Sequence, residues 1–282
     1  MEGVRDPRWH HLSALAVCAV VTAAQACAPD AVRWESERRS APGAAEPAGA
    51  GVRPALNSAA ELAAAAAAAP WSPHAMPSSA PICPGSLAAA RARGDTTFAA
   101  WWMPRGDGTS LLVVARSDDG GGAWRPPIVA DSTDHARAGC ARPPPFVAVD
   151  SLTGNVHVVY FLVAPEGPGV FFTHSMEGGA MFHEPVPIVY GERPSAASVA
   201  SHGDTVAVLY EDPNASVPQV CLALSRSTGH IFDERMSVSS ANASATHPAI
   251  SMRGRHVTVS WLETARNGGP ATTVIRTGTI NP

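Results

Sequence analysis

Four short apolar runs recur along residues 86–282, each entered through a glycine-containing turn. Residues 98–102 follow Arg93-Gly94-Asp95, and residues 156–160 follow Thr153-Gly154-Asn155. Residues 206–210 follow His202-Gly203-Asp204, and residues 257–261 follow Arg253-Gly254-Arg255. Each run opens with Val or Phe and carries an aromatic residue four positions later. Runs rich in β-branched and aromatic residues, entered by a tight turn, predict the second strand of a hairpin. The first strands are predicted just upstream, at 86–92, 146–149, 196–200 and 249–252. Pro143, Pro194 and Pro248 introduce three of them, at the strand-start position that a proline tolerates.

The spacing then holds downstream. Ser117, Ser175 and Ser225 each lie fifteen residues beyond Trp102, Tyr160 and Tyr210. Each serine opens an octet with the frame Ser-x-acid-x-Gly-x-x-aromatic. The three sets are Ser117, Asp119, Gly121 and Trp124; Ser175, Glu177, Gly179 and Phe182; and Ser225, Gly229 and Phe232, where Ser227 replaces the acid. Such an octet suits a hairpin turn. The glycine takes a positive φ, the hydroxyl and carboxylate satisfy turn amides, and the aromatic packs back. The frame resembles the Asp-box, or BNR repeat, of sialidases and related β-propellers. The resemblance implies an all-β propeller over 86–282, with structural rather than catalytic octets. Sialidases of this kind have six blades, whereas the repeats here count to three four-stranded blades and a fourth of three strands. A closing strand is expected from just before the first blade, near 80–83; an open assembly or a dimer is the alternative.

Propeller topology puts the octets on one face and the loops between second and third strands on the other. The resemblance assigns ligand binding to that second face. It offers Arg105, Asp134, Arg137, Arg142, Glu192, Arg193, Glu211 and His247 there. Sialidase chemistry implies three arginines on the substrate carboxylate, where paired hydrogen bonds fix its plane, with a Tyr nucleophile beside a Glu. Arg142, Arg193, Tyr210 and Glu211 are the candidates for those catalytic roles. No third arginine takes the next equivalent place, which His247 holds, and the Arg-Ile-Pro segment usual in sialidases is missing. Equivalent positions in a repeat explain both pairs, Arg142/Arg193 and Tyr160/Tyr210, equally well.

Composition narrows the rest. The 282 residues carry a net charge of -4, so a polybasic nucleic-acid or membrane-surface binder is not expected. All 20 basic residues are arginine, which excludes a lysine Schiff base or a P-loop. The eleven histidines show no ligand spacing, and neither a metal site nor a cofactor is expected. Arg5 and Arg8 precede an apolar run over 12–24, too short to span a bilayer and suited to a signal peptide over 1–27. The small residues before Cys27 resemble a bacterial lipoprotein processing site, which would make Cys27 a lipid anchor and the one membrane attachment. Cleavage after Ala26 would instead give a secreted protein. Residues 28–85, rich in Ala, Pro and Gly, predict a disordered linker, with a short helix over the alanine run 63–69. In an oxidising compartment Cys83 and Cys140, equivalent in adjacent blades, predict a disulfide, leaving Cys221 as a buried thiol. These features predict an exported, envelope-associated propeller that binds a glycan or a protein without turnover. The alternatives are a sialidase-like glycoside hydrolase and a structural envelope module.

Overall fold

The computed structural model describes residues 30–35, 37–40 and 81–282. The leader with Cys27 and the alanine run 63–69 lie outside the described residues. The described residues from 31 onward form one compact unit, and no helix occurs among the described residues. Two short strands come first, β1 (Val32–Trp34) and β2 (Arg38–Ser40). The first four-stranded sheet holds β3 (Ala88–Arg91), β4 (Thr97–Pro104), β5 (Ser110–Ser117) and β6 (Ile128–Asp131). The second holds β7 (Phe146–Val149), β8 (Val156–Ala164), β9 (Gly167–Ser175) and β10 (Val186–Tyr190). The third holds β11 (Ala197–His202), β12 (Thr205–Glu211), β13 (Val220–Ser225) and β14 (Glu234–Ser237). The last holds β15 (Ala243–Arg253), β16 (His256–Ala265) and β17 (Thr272–Ile280). Every pairing is between antiparallel neighbours, the arrangement of propeller blades.

The octet serines end the third strands β5, β9 and β13, and all three are fully buried. Val156 pairs with Ser175 and Val206 with Ser225, while Ser117 pairs with Thr97. The fifteen-residue spacing therefore falls inside a single second-to-third-strand hairpin. In the last blade the hairpin is longer: Val257 pairs with Gly278, beyond Arg276.

The fourth strand of the last blade does not come from 80–83. It comes from β1 and β2, which lie end to end along β17: Val32 pairs with Ile280, Trp34 with Gly278, Arg38 with Ile275 and Ser40 with Thr273. The segment expected to be linker thus supplies the outermost strand. A Cβ on Gly278 would lie 2.8 Å from Val32 Cγ1 and 2.9 Å from Trp34 Cε3, so only glycine admits β1 there. The Arg276 guanidinium sits 4.8 Å from the centre of the Trp34 ring.

Apolar seams join successive blades. Trp102, Leu112, Tyr160 and Leu162 share the first, Phe172, Ile188, Val208 and Tyr210 the second, and Leu222, Leu224, Val259 and Trp261 the third. Strand alternation makes this possible, because adjacent Trp101 and Trp102 point to opposite faces of β4. Trp101 belongs to a smaller cluster with Ala99, Val113 and Ala115, which holds no residue of the fourth blade. Cys83 and Cys140 form a disulfide with a Cα separation of 5.2 Å, tying the entry to blade one to the connection into blade two. Cys221 is half-buried, and burial pushes its thiol up to about 11.

The closing strand gives a direct test. Val32 is 1% exposed, so Val32→Asp places an unpaired carboxylate in the third seam. It should destabilise the protein by at least about 3 kcal/mol and lower the melting temperature by roughly 6–12 °C. Arg33→Asp, at the exposed position beside it, should stay within about 0.5 kcal/mol when both are followed by circular dichroism.

Candidate functional site

The octet turns are built from one hydrogen-bond scheme. Ser117 Oγ accepts from the Gly121 amide at 2.8 Å and donates to Asp119 at 2.7 Å, and Asp119 accepts from the Ala123 amide at 2.8 Å. The Ala123 amide and then the Ser117 hydroxyl hold the Asp119 carboxyl below its ordinary range. Ser175 and Ser225 accept from Gly179 and Gly229 at 3.0 and 3.1 Å. In the third octet Ser227 takes the acid's place, accepting from the Ile231 amide at 3.2 Å. The Glu177 backbone amide donates to Ser175 Oγ at 3.3 Å, so that residue joins the turn through its main chain. Phe232 is buried, whereas Trp124 and Phe182 are half-buried against their blades.

On the opposite face the expected ligand-gripping residues are engaged in structure. Arg142 is buried, with Nη1 2.8 Å from Asp134 and its guanidinium 5.1 Å from the centre of the Trp102 ring. Its Nε donates to the Gly139 carbonyl at 3.0 Å. Asp134 also accepts from the Ser110 amide at 2.7 Å, so the pair is fully satisfied inside blade one. Arg193 donates to the Asp212 and Ala215 carbonyls, clamping the loop between β12 and β13. Tyr210 is buried in the second seam, and burial raises its phenol well above the ordinary value, which leaves it protonated. Glu211 accepts from the His247 amide at 2.9 Å, tying blade three to a β15 bulge where His247 has a φ of 57°. All four residues proposed for catalysis are therefore buried or bonded within the fold. Arg105 and Arg137 remain exposed on neighbouring loops of blade one.

Between blades two and three the same face carries a groove of about 340 Å³. Glu166 and Gly167, from the turn between β8 and β9, form one side; Tyr190, at the end of β10, and Glu192 form the other; Asn214 closes it. Tyr190 is 45% exposed, although its ring meets Phe171 edge-on at 5.9 Å. Asn214 Nδ2 donates to the Tyr190 carbonyl at 2.7 Å. A Cβ on Gly191 would lie 2.6 Å from Pro213, and one on Gly169 would collide with the Val189 carbonyl, so glycine permits the floor. The groove pairs an open aromatic face with two carboxylates and an amide. Sequence reasoning placed these loops on this face and singled out Glu192, but not Tyr190 or Asn214. The available signal was position alone: Tyr190 ends a fourth strand beside a glycine.

The octet face holds a second constellation that sequence spacing concealed. His174, His183 and His230 come together, with one nitrogen from each inside a 4.8 Å circle. Spacing along the chain gave no sign of this grouping, because the fold sets it. His174 and His183 stack at 4.5 Å, and His230 stands edge-on to His174 at 4.7 Å. Behind them His157 is fully buried, and neither of its ring nitrogens has a hydrogen-bond partner. Burial pushes the imidazoles of His157 and His174 down to about 4.

Arg142→Ala leaves Asp134 buried and unpaired and should cost about 3–5 kcal/mol, whereas exposed Arg137→Ala should stay within about 0.5 kcal/mol in denaturant melts. For His157, the unfolded chain takes up a proton below about pH 6.5 that the folded protein refuses until about pH 4. Stability is full above that window and falls through it by up to roughly 3 kcal/mol. His157→Phe should flatten this acid limb in melts between pH 7.5 and 4.5; an unchanged slope would assign it to other groups.

No protein-family model matches the chain, and no curated protein sequence matches it. Among solved structures it is similar to a Hadza microbial sialidase, at 15% identity and a TM-score of 0.46 over 66% of this chain and 45% of that one. It is also similar to the NanB sialidase of Streptococcus pneumoniae, at 10% identity and 0.41 over 64% and 48%. A GH43 endo-arabinanase from Bacillus licheniformis gives 14% identity and 0.40 over 67% and 71%. The chain spans less than half the length of either sialidase.

Proposed function

We propose that the protein is an exported propeller module that binds a glycan, without turning it over, in the groove between blades two and three. The exposed Tyr190 ring carries the reading. An aromatic face offers the apolar side of a sugar ring a stacking surface, and Glu166, Glu192 and Asn214 lie where hydroxyl groups need partners. Tyr190 is also preorganised: Phe171 backs its ring and Asn214 holds its carbonyl, so little ordering is lost on binding.

The engagement of Arg142, Arg193 and Tyr210 supports a reading without turnover. Arg142 is spent on Asp134, Arg193 on backbone carbonyls, and Tyr210 is buried and protonated. Export is supported by the Cys83–Cys140 disulfide, which is maintained in an oxidising compartment. Attachment to the envelope through a lipidated Cys27 belongs to the same reading.

Glycan-array screening followed by calorimetry tests it. Tyr190→Ala should weaken the best glycan about thirtyfold, roughly 2 kcal/mol, with an unchanged melting temperature. A fluorogenic sialoside should remain intact. Release of the fluorophore would favour the hydrolase, and a blank array with capture of a protein ligand would move the reading to protein recognition.

A further inference from the structure

The three histidines on the octet face go beyond glycan binding, since they lie on the side of the propeller opposite the groove. Their positions are tied to the octets. His174 immediately precedes Ser175, His183 immediately follows Phe182, and His230 immediately follows Gly229. Blade one shows what these places hold otherwise. There, the residues before and after the octet are Arg116 and Arg125, and Asp118 bridges them at 2.7 and 2.6 Å. The backbone is the same in both blades: Arg125 N donates to the Arg116 carbonyl at 2.8 Å, and His183 N to the His174 carbonyl at 2.9 Å. Blade two therefore replaces both arginines by imidazoles and the bridging acid by Met176, discarding an ion pair and gaining two neutral nitrogen donors. Blade three adds the third donor from its own turn.

We propose that His174, His183 and His230 form a binding site for one divalent transition-metal ion, zinc above all, that joins the octet turns of blades two and three. Three observations besides proximity support it. His174 Nε2 is buried and has no hydrogen-bond partner, although His174 is only 1% exposed. A buried polar nitrogen left unpaired in this way is a destabilising feature that a ligand would relieve. His230 Nδ1 lies 2.7 Å from the Ser227 carbonyl, which fixes that nitrogen as the donor and leaves Nε2 for coordination. The donor set is nitrogen only, which selects zinc, copper or nickel over magnesium or calcium.

The geometry needs a modest closure. Zinc–imidazole bonds of about 2.0–2.1 Å put tetrahedral ligand nitrogens about 3.4 Å apart. The nitrogens now lie within 4.8 Å of one another. Ring rotation at half-buried His183 and exposed His230 supplies the difference, with buried His174 as the fixed post. Three protein ligands leave the fourth position to water, and the ion would cross-link two blades that otherwise meet there through Phe172 and Phe232.

Calorimetry of the full chain with zinc chloride tests this, alongside the visible spectrum with cobalt chloride. Zinc should bind at a stoichiometry that falls by one site, or with affinity weakened at least about tenfold, in both His183→Ala and His230→Ala. Zinc should also raise the melting temperature of the wild type but of neither variant, and cobalt should give a tetrahedral spectrum that both variants lose. His256→Ala, an exposed histidine on blade four, should behave as the wild type. Both histidine variants lie at the surface, and metal-free melts matching the wild type establish that they fold. Zinc binding unchanged in both variants, a loss reproduced by His256→Ala, or no zinc binding at all would overturn the proposal.

Discussion

The close approach of an octet glycine to an aromatic ring of the preceding blade is the constraint on which the blade packing depends. A Cβ on Gly179 would lie 2.8 Å from the Phe98 ring, and one on Gly229 would lie 2.3 Å from the Phe172 ring. Both glycines also take positive φ, 82° and 90°. Two independent demands thus meet at one residue: a turn that a side chain would strain, and a contact that a side chain would block. The serine completes the arrangement by accepting the glycine amide, so the turn is satisfied internally while it lies against the neighbour's ring. Because the turns of blades two and three are each seated on the blade before, the first three sheets are held in order, and the loops of the opposite face inherit their spacing.

Much of this was legible because it is local. The fifteen-residue spacing falls within one hairpin, which the pairings of Val156 with Ser175 and Val206 with Ser225 close. The closing strand was not legible. Val32-Arg33-Trp34 is too short for a periodic pattern, and its partner Gly278 is far away along the chain. The alanine- and proline-rich sequence downstream hides it further. What fixes β1 is a missing side chain at Gly278 and a ring beneath Arg276, neither of which the pattern near Val32 reveals.

The arginines show how a repeat misleads. Arg142 and Arg193 hold equivalent places, and a ligand-gripping pair was one way to explain that. Burial decides otherwise for Arg142: its side chain is 5% exposed and Asp134 is 1% exposed, so the charges neutralise each other away from water. An arginine in that state cannot reach a substrate carboxylate without abandoning a buried partner, at a cost of several kcal/mol. Arg193 is less buried but is already bonded to two carbonyls of one loop. Equivalence of position here reflects the demands of the blade connection.

The same equivalence becomes informative where it breaks. Ion pairs flank the octets of the other two blades, Arg116 and Arg125 with Asp118 in blade one and Arg226 with Glu234 in blade three. Blade two alone sets histidine before and after its octet, and blade three alone sets histidine directly after its octet glycine, where the three rings meet. An imidazole gives a weaker surface ion pair than a guanidinium, so these replacements do nothing for the turn itself. Exchange at a turn that keeps its backbone geometry, confined to one seam, separates a residue the fold requires from one that the fold merely carries. By that criterion the octets belong to folding, and the histidines beside them are free to serve the proposed metal site. Tyr190 meets the criterion on the other face: it ends the fourth strand of blade two with an open ring, where the fourth strands of blades one and three end in Asp131 and Ser237.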